Sequence, residues 1–83
     1  MAPLARLTLY GRPRCHLCDS MLAALLALRG EFAFAVDEVD IDRDAALVEK
    51  YDEHVPVLTA GSVELCRHTL DVAAVRAHLA KFR

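Results

Sequence analysis

The run Leu9-Tyr10-Gly11-Arg12-Pro13-Arg14-Cys15-His16-Leu17-Cys18 decides how this chain is read. It passes from an apolar, β-compatible stretch, through a Gly/Pro turn signal, into residues that favour a helix. Cys15 and Cys18 therefore open a helix directly after a strand. Their spacing sets both sulfurs on one helix face, one turn apart. Cys15 falls at the end where free backbone N–H groups and the helix dipole favour negative charge. A thiolate is stabilised there, and the thiolate is the form that attacks a disulfide. Cys18, deeper in the helix, is placed to attack a mixed disulfide formed on Cys15. Arg12, Arg14 and His16 surround the first cysteine with groups able to carry positive charge.

Outward from this run the chain alternates strand and helix. Residues 4–10 read as the first strand and 15–29 as the helix, with Gly30 as its stop and Arg29 in its last turn. The second half of that helix is apolar almost all round, which predicts cover on more than one face. Residues 32–41 read as a second strand with a parity fault. Phe32, Phe34 and Val36 share one face while Val39 and Ile41 share the other, so the strand starts late or bulges near residues 37–38. Strand, helix and strand make a βαβ unit.

Asp42 or Asp44 caps a second helix over 45–51, with Leu47 and Tyr51 on one face. A strand over 55–59 carries Pro56, turns at Ala60-Gly61 and returns over 62–66 as a hairpin. Asp71 caps a last helix in which Val72, Val75, Leu79 and Phe82 recur at helical spacing. The predicted order is βαβαββα, an α/β chain forming one domain over residues 1–83.

The composition fits that reading. The chain has 83 residues, 55% hydrophobic and 27% charged, which excludes a disordered chain. A formal net charge of −2 carries no electrostatic footprint for nucleic acid. Acidic residues concentrate over 37–53, as a solvated edge and helix face. The longest apolar run, residues 21–28, is far short of the ~20 residues that span a bilayer. Cysteines and charges ahead of it make a poor signal peptide. A cytoplasmic protein with no membrane and no nucleic-acid partner is expected. Thiols stay reduced there, so a close cysteine pair points to redox chemistry or to metal.

His54-Val55-Pro56-Val57 is the second notable segment. A proline at this point marks an edge, a strand start or a special peptide bond. Base rates alone favour a trans bond before it. Cys66 reads as a small buried residue of the last strand. His54 and His78 read as loop and surface histidines without a role. Two other classes of function remain open on the residues. One is a metal-binding module in which Cys15 and Cys18 join Cys66, His16 or His68, although tetrahedral zinc wants four ligands and no second C-x-x-C exists. The other is an interaction module whose dithiol turns over little.

Four segments in order, Leu7-Thr8-Leu9-Tyr10, Cys15-His16-Leu17-Cys18, Val39-Asp40-Ile41-Asp42 and Val55-Pro56-Val57-Leu58, carry a resemblance over essentially the whole chain. The sequence resembles the glutaredoxin branch of the thioredoxin superfamily, and most of all its small bacterial glutaredoxin-like proteins with a C-H-L-C motif. The resemblance implies a thioredoxin-like (glutaredoxin-type) three-layer fold. Its four-stranded mixed sheet has the first two strands parallel and the last two forming a hairpin. It also implies a cis peptide before Pro56, packed beside Cys15.

In function the resemblance implies a thiol-disulfide oxidoreductase with Cys15 as nucleophile and Cys18 as resolving thiol. Val55 and Pro56 would form the substrate-docking edge, helped by Arg12, Arg14 and His16. The partner would be a disulfide-containing protein or glutathione. No bound cofactor or metal is expected, glutathione or a thioredoxin system would act as reductant, and a monomer is expected. The chain departs from the family pattern at two places. His16-Leu17 replaces the usual Pro-Tyr, and Cys66-Arg67-His68-Thr69-Leu70-Asp71 replaces a Gly-Gly step with paired aspartates.

Overall fold

Strict alternation in the first strand builds the core. In the computed structural model, which describes residues 4–82, β1 (Ala5–Gly11) buries Ala5, Leu7, Leu9 and Gly11 on one face. Gly11 therefore belongs to the strand and the turn begins after it, one residue later than the sequence suggests. β1 lies inside a four-stranded sheet of order β2-β1-β3-β4. It pairs in parallel with β2 (Phe34–Asp40) and antiparallel with β3 (Val57–Ala60), and β3 pairs antiparallel with β4 (Val63–Arg67). The sheet is mixed and the fold is of the thioredoxin-like type.

Helices α1 (His16–Ala27) and α3 (Val72–Leu79) cover one face. Met21, Leu25, Val75 and Leu79 pack there with Leu7, Leu9, Phe34 and Leu58. Each such side chain contributes roughly 1.5–3 kcal/mol of burial free energy. Helix α2 (Ala45–Tyr51) covers the other face, where Ile41, Tyr51 and Val57 pack with Tyr10, Leu47 and Val48. Helix, sheet and helix make three layers.

Several expectations are corrected. The apolar second half of α1 is covered on one face only: Met21, Leu25 and Leu28 are buried, while Ala23, Ala24 and Ala27 face outward. The helix does not stop on a left-handed glycine. Leu28 is its C-cap, and a 3₁₀ turn (Leu28–Gly30) follows. Of the two readings of β2 the late start holds and the bulge does not: the strand begins at Phe34 rather than Phe32, and its ladder runs unbroken from Phe34, paired with Ala5, to Asp40, paired with Gly11. The change of parity comes from the layers. Phe34 and Val36 face the α1/α3 core, and the chain turns its apolar residues to the α2 side by Ile41. Val55 and Pro56 precede β3 rather than lie in it. In the last helix Val75 and Leu79 are buried, whereas Val72 and Phe82 are 45% and 41% exposed. Phe82 lies in a 3₁₀ turn beyond the helix.

The local signals for the other ends hold. Asp44 Oδ1 accepts the Ala46 N–H at 2.9 Å and Asp71 Oδ1 accepts the Ala74 N–H at 3.0 Å, each capping its helix. The hairpin turns at Gly61, whose φ of +61° is a conformation glycine takes without steric cost. An irregularity in the β3–β4 ladder falls between Leu58 and Thr59.

Candidate active site

The site is built where β1 ends and α1 begins. Cys15 is the N-cap of α1 in extended backbone conformation, and Cys18 lies one turn in. The two form a disulfide with their Cα atoms 5.2 Å apart. Cys15 Sγ also accepts the Cys18 backbone N–H at 3.1 Å. The cap position thus gives the first sulfur one of the free donors of the helix. Cys15 is half-buried, while Cys18 is 8% exposed. His16 is exposed and Leu17, between the cysteines, is 49% exposed.

Gly11 lies directly beneath Cys18. A Cβ placed on Gly11 would stand 3.0 Å from Cys18 Sγ and 3.3 Å from Cys18 Cβ. Both residues line a cavity of about 300 Å³ that extends past Leu22 to Glu38 and Val39 of β2. Read as a turn signal, Gly11 showed nothing of this contact. Its position as the last strand residue before a C-x-x-C is the signal that could have found it.

The arginines that flank Cys15 differ. Arg12 is committed to acidic partners, donating to Asp42 Oδ1 at 2.9 Å, Asp52 Oδ1 at 2.9 Å and the Asp52 carbonyl at 3.2 Å. Its charge is balanced by those carboxylates, chiefly the hydrogen-bonded Asp52, which hold the guanidinium more firmly protonated. Arg14 immediately precedes Cys15 in left-handed conformation, φ +60°. It is exposed and has no ion pair or ring partner among the described residues.

Tyr10 pairs with Val57, so the loop carrying Cys15 and the Val55–Pro56 segment emerge at the same end of the sheet. The Val55–Pro56 peptide bond is cis. Pro56 is fully buried, Val55 is half-buried, and the Pro56 carbonyl accepts the His68 N–H at 2.8 Å. The Val55 N–H is engaged within the chain, donating to the Tyr51 carbonyl at 3.2 Å.

Cys66 lies in β4 opposite Leu58, half-buried against the core. Burial pushes its thiol above the ordinary thiol range. Among the described residues no group of three or more His, Cys, Asp or Glu side chains is arranged to hold a metal ion. No helix among them is long and apolar enough to cross a membrane.

A thioredoxin-like sheet with a cysteine pair capping its first helix defines a redox-type thioredoxin fold. The chain belongs to the glutaredoxin-like domain family (DUF836), whose sequence profile matches residues 6–80. It is similar to the solution structure of protein Ne2328 from Nitrosomonas europaea, with 36% identity, a TM-score of 0.86 and 95% of each chain covered. It is also similar to the X-ray structure of protein XcR50 from X. campestris, at 43% identity and a TM-score of 0.69 over 90% of this chain and 96% of that one. A malarial protein at 17% identity, with a TM-score of 0.63 over 96% of this chain and 98% of that one, shares the fold. No curated protein matches the chain.

Proposed function

We propose that the protein is a thiol-disulfide oxidoreductase that uses Cys15 and Cys18 as its redox couple. The observation that carries this reading is the Cys15–Cys18 disulfide at the N-terminus of α1, with Cys15 Sγ on the Cys18 N–H. In the dithiol form the same donor and the helix dipole would favour a thiolate at Cys15.

The Cys15 thiolate attacks one sulfur of a substrate disulfide. A mixed disulfide forms and the first substrate thiolate leaves. Cys18, having lost its proton, then attacks Cys15 Sγ, closing the Cys15–Cys18 bond and expelling the second substrate thiolate. Two electrons pass to the substrate, and a thiol reductant, glutathione or a thioredoxin system, returns them to the protein. The substrate is a protein or low-molecular-weight disulfide lying along the Val55–Pro56 edge, where the Val55 carbonyl accepts a backbone N–H. Arg14, with no acidic partner among the described residues, and His16 flank Cys15 in sequence and would add positive charge for the incoming substrate, while Arg12 acts by holding the loop. The expected setting is the cytoplasm, with the protein acting as a monomer.

Trapping with single-cysteine variants tests this reading. Cys15→Ser should abolish exchange, and Cys18→Ser should accumulate mixed disulfides with substrate, read by intact mass. Full exchange in the Cys15→Ser protein would overturn the assignment. A disulfide that forms but never turns over with any thiol reductant would favour an interaction module instead.

A further inference from the structure

We propose that Gly11 is the positioning residue for the resolving thiol: its missing side chain is the space in which Cys18 Sγ sits. This inference rests on the dithiol reading above. Gly11 is buried and held in the β1 ladder opposite Asp40, so its backbone has little freedom to retreat. On the face that it shares with Leu7 and Leu9 it meets the side chain of Cys18. A Cβ there would stand 3.0 Å from the sulfur and 3.3 Å from Cys18 Cβ. Both contacts are tighter than most that real Cβ atoms make, so the cysteine would have to give way by a few tenths of an ångström. Its φ is not in the left-handed region, and Gly61 is the described glycine that is. Gly11 is therefore needed for space rather than for backbone conformation. Gly30, by contrast, has nothing within 4 Å of where a Cβ would stand.

Cys18 Sγ must approach Cys15 Sγ in line with the sulfur–sulfur bond it breaks. A displacement of a few tenths of an ångström acts on that step, and on the closed disulfide. It leaves alone the earlier attack by Cys15, in which the Cys18 thiol takes no part. Gly11→Ala should therefore separate the two half-reactions.

The test mixes reduced protein with a symmetrical aryl disulfide that releases a coloured thiolate. Attack by Cys15 releases the first equivalent and resolution by Cys18 releases the second. In Gly11→Ala the first phase should match wild type, while the second slows by about tenfold or more. The equilibrium constant for closing Cys15–Cys18 against glutathione should fall by about tenfold, which corresponds to about 30 mV. Gly30→Ala should match wild type in both phases. In a Cys18→Ala background, adding Gly11→Ala should leave the single remaining phase unchanged. If Gly11→Ala alone unfolds, the double variant, which lacks the sulfur in question, should recover its fold. A folded Gly11→Ala protein with an unchanged second phase and equilibrium, or a double variant that stays unfolded, would overturn the inference. Loss of the first phase in wild type would instead overturn the oxidoreductase reading itself.

Discussion

Cys15 caps the helix that it opens: its Sγ accepts the Cys18 backbone N–H at 3.1 Å, one turn into α1. Caps of this kind come from Ser, Thr, Asp or Asn in most helices. A sulfur in that place couples the local geometry of the helix to its chemistry, because the donor that closes the cap also stabilises a negative charge.

In the reduced protein, Cys15 should ionise below the ordinary thiol range, whereas Cys18, almost fully buried, should ionise above it. Alkylation rates followed from mildly acidic to alkaline pH, with each cysteine read by peptide mass, check this. Cys15 should stay reactive on the acidic side where Cys18 has fallen silent. His16→Ala, removing a basic group next to Cys15, should move the Cys15 profile modestly to higher pH. Two superimposed profiles of ordinary thiol shape would contradict the capping role of the sulfur.

Arg12 ties the loop before Cys15 to Asp42, in the 3₁₀ turn ahead of α2, and to Asp52, the C-cap of α2. Arg12→Ala should lower the thermal midpoint, and the loss should shrink at high salt because the pairs are partly solvated. Thermal melts at low and high ionic strength decide the point. A loss that is insensitive to salt would assign Arg12 to packing rather than to its carboxylates.

Asp71 caps α3, its Oδ1 accepting the Ala74 N–H at 3.0 Å. A cap role predicts that Asp71→Ala costs about 0.5–2 kcal/mol while Asp71→Ser restores most of it. Chemical denaturation of the three proteins measures this. If Asp71→Ser folds as well as wild type yet loses turnover with glutathione, the carboxylate serves substrate as well as the helix.

Thr59 is 4% exposed, and its hydroxyl is without a partner among the described residues. An unpaired buried hydroxyl costs about 1–3 kcal/mol relative to an apolar group of the same shape. Thr59→Val should therefore leave the protein equally or more stable, by up to about that amount. A clear loss in denaturation midpoint would show that the hydroxyl is paired in solution.

Sequence reading recovered what depends on short-range chemistry. The order of elements, the Asp71 cap, the Asp42-or-Asp44 cap that the structure settles on Asp44, the Cys15 helix start and the hairpin at Gly61 all follow from residues within a few positions of one another. It failed where the answer lay in a distant partner. The parity of β2 is set by which helix layer covers each half of the strand. The outward face of α1 is exposed because no described residue covers Ala23, Ala24 and Ala27, although the apolar count alone suggests cover. At the site, the cysteine pair and Pro56 were legible, and the family pattern supplied the cis bond. The commitment of Arg12 to residues thirty and more positions away was not legible, nor was the engagement of the Val55 N–H by Tyr51 or the contact between Gly11 and Cys18.

The central claim is that Cys15 and Cys18 are a reversible redox couple. An equilibrium titration of metal-free protein in glutathione buffers, quenched by alkylation and read by intact mass, tests it most directly. The account predicts a two-electron transition between dithiol and Cys15–Cys18 disulfide, with a potential of roughly −200 to −270 mV, as for glutaredoxins and thioredoxin. Thiols that stay reduced across the whole range, or that become reactive only after a chelator is added, would contradict it.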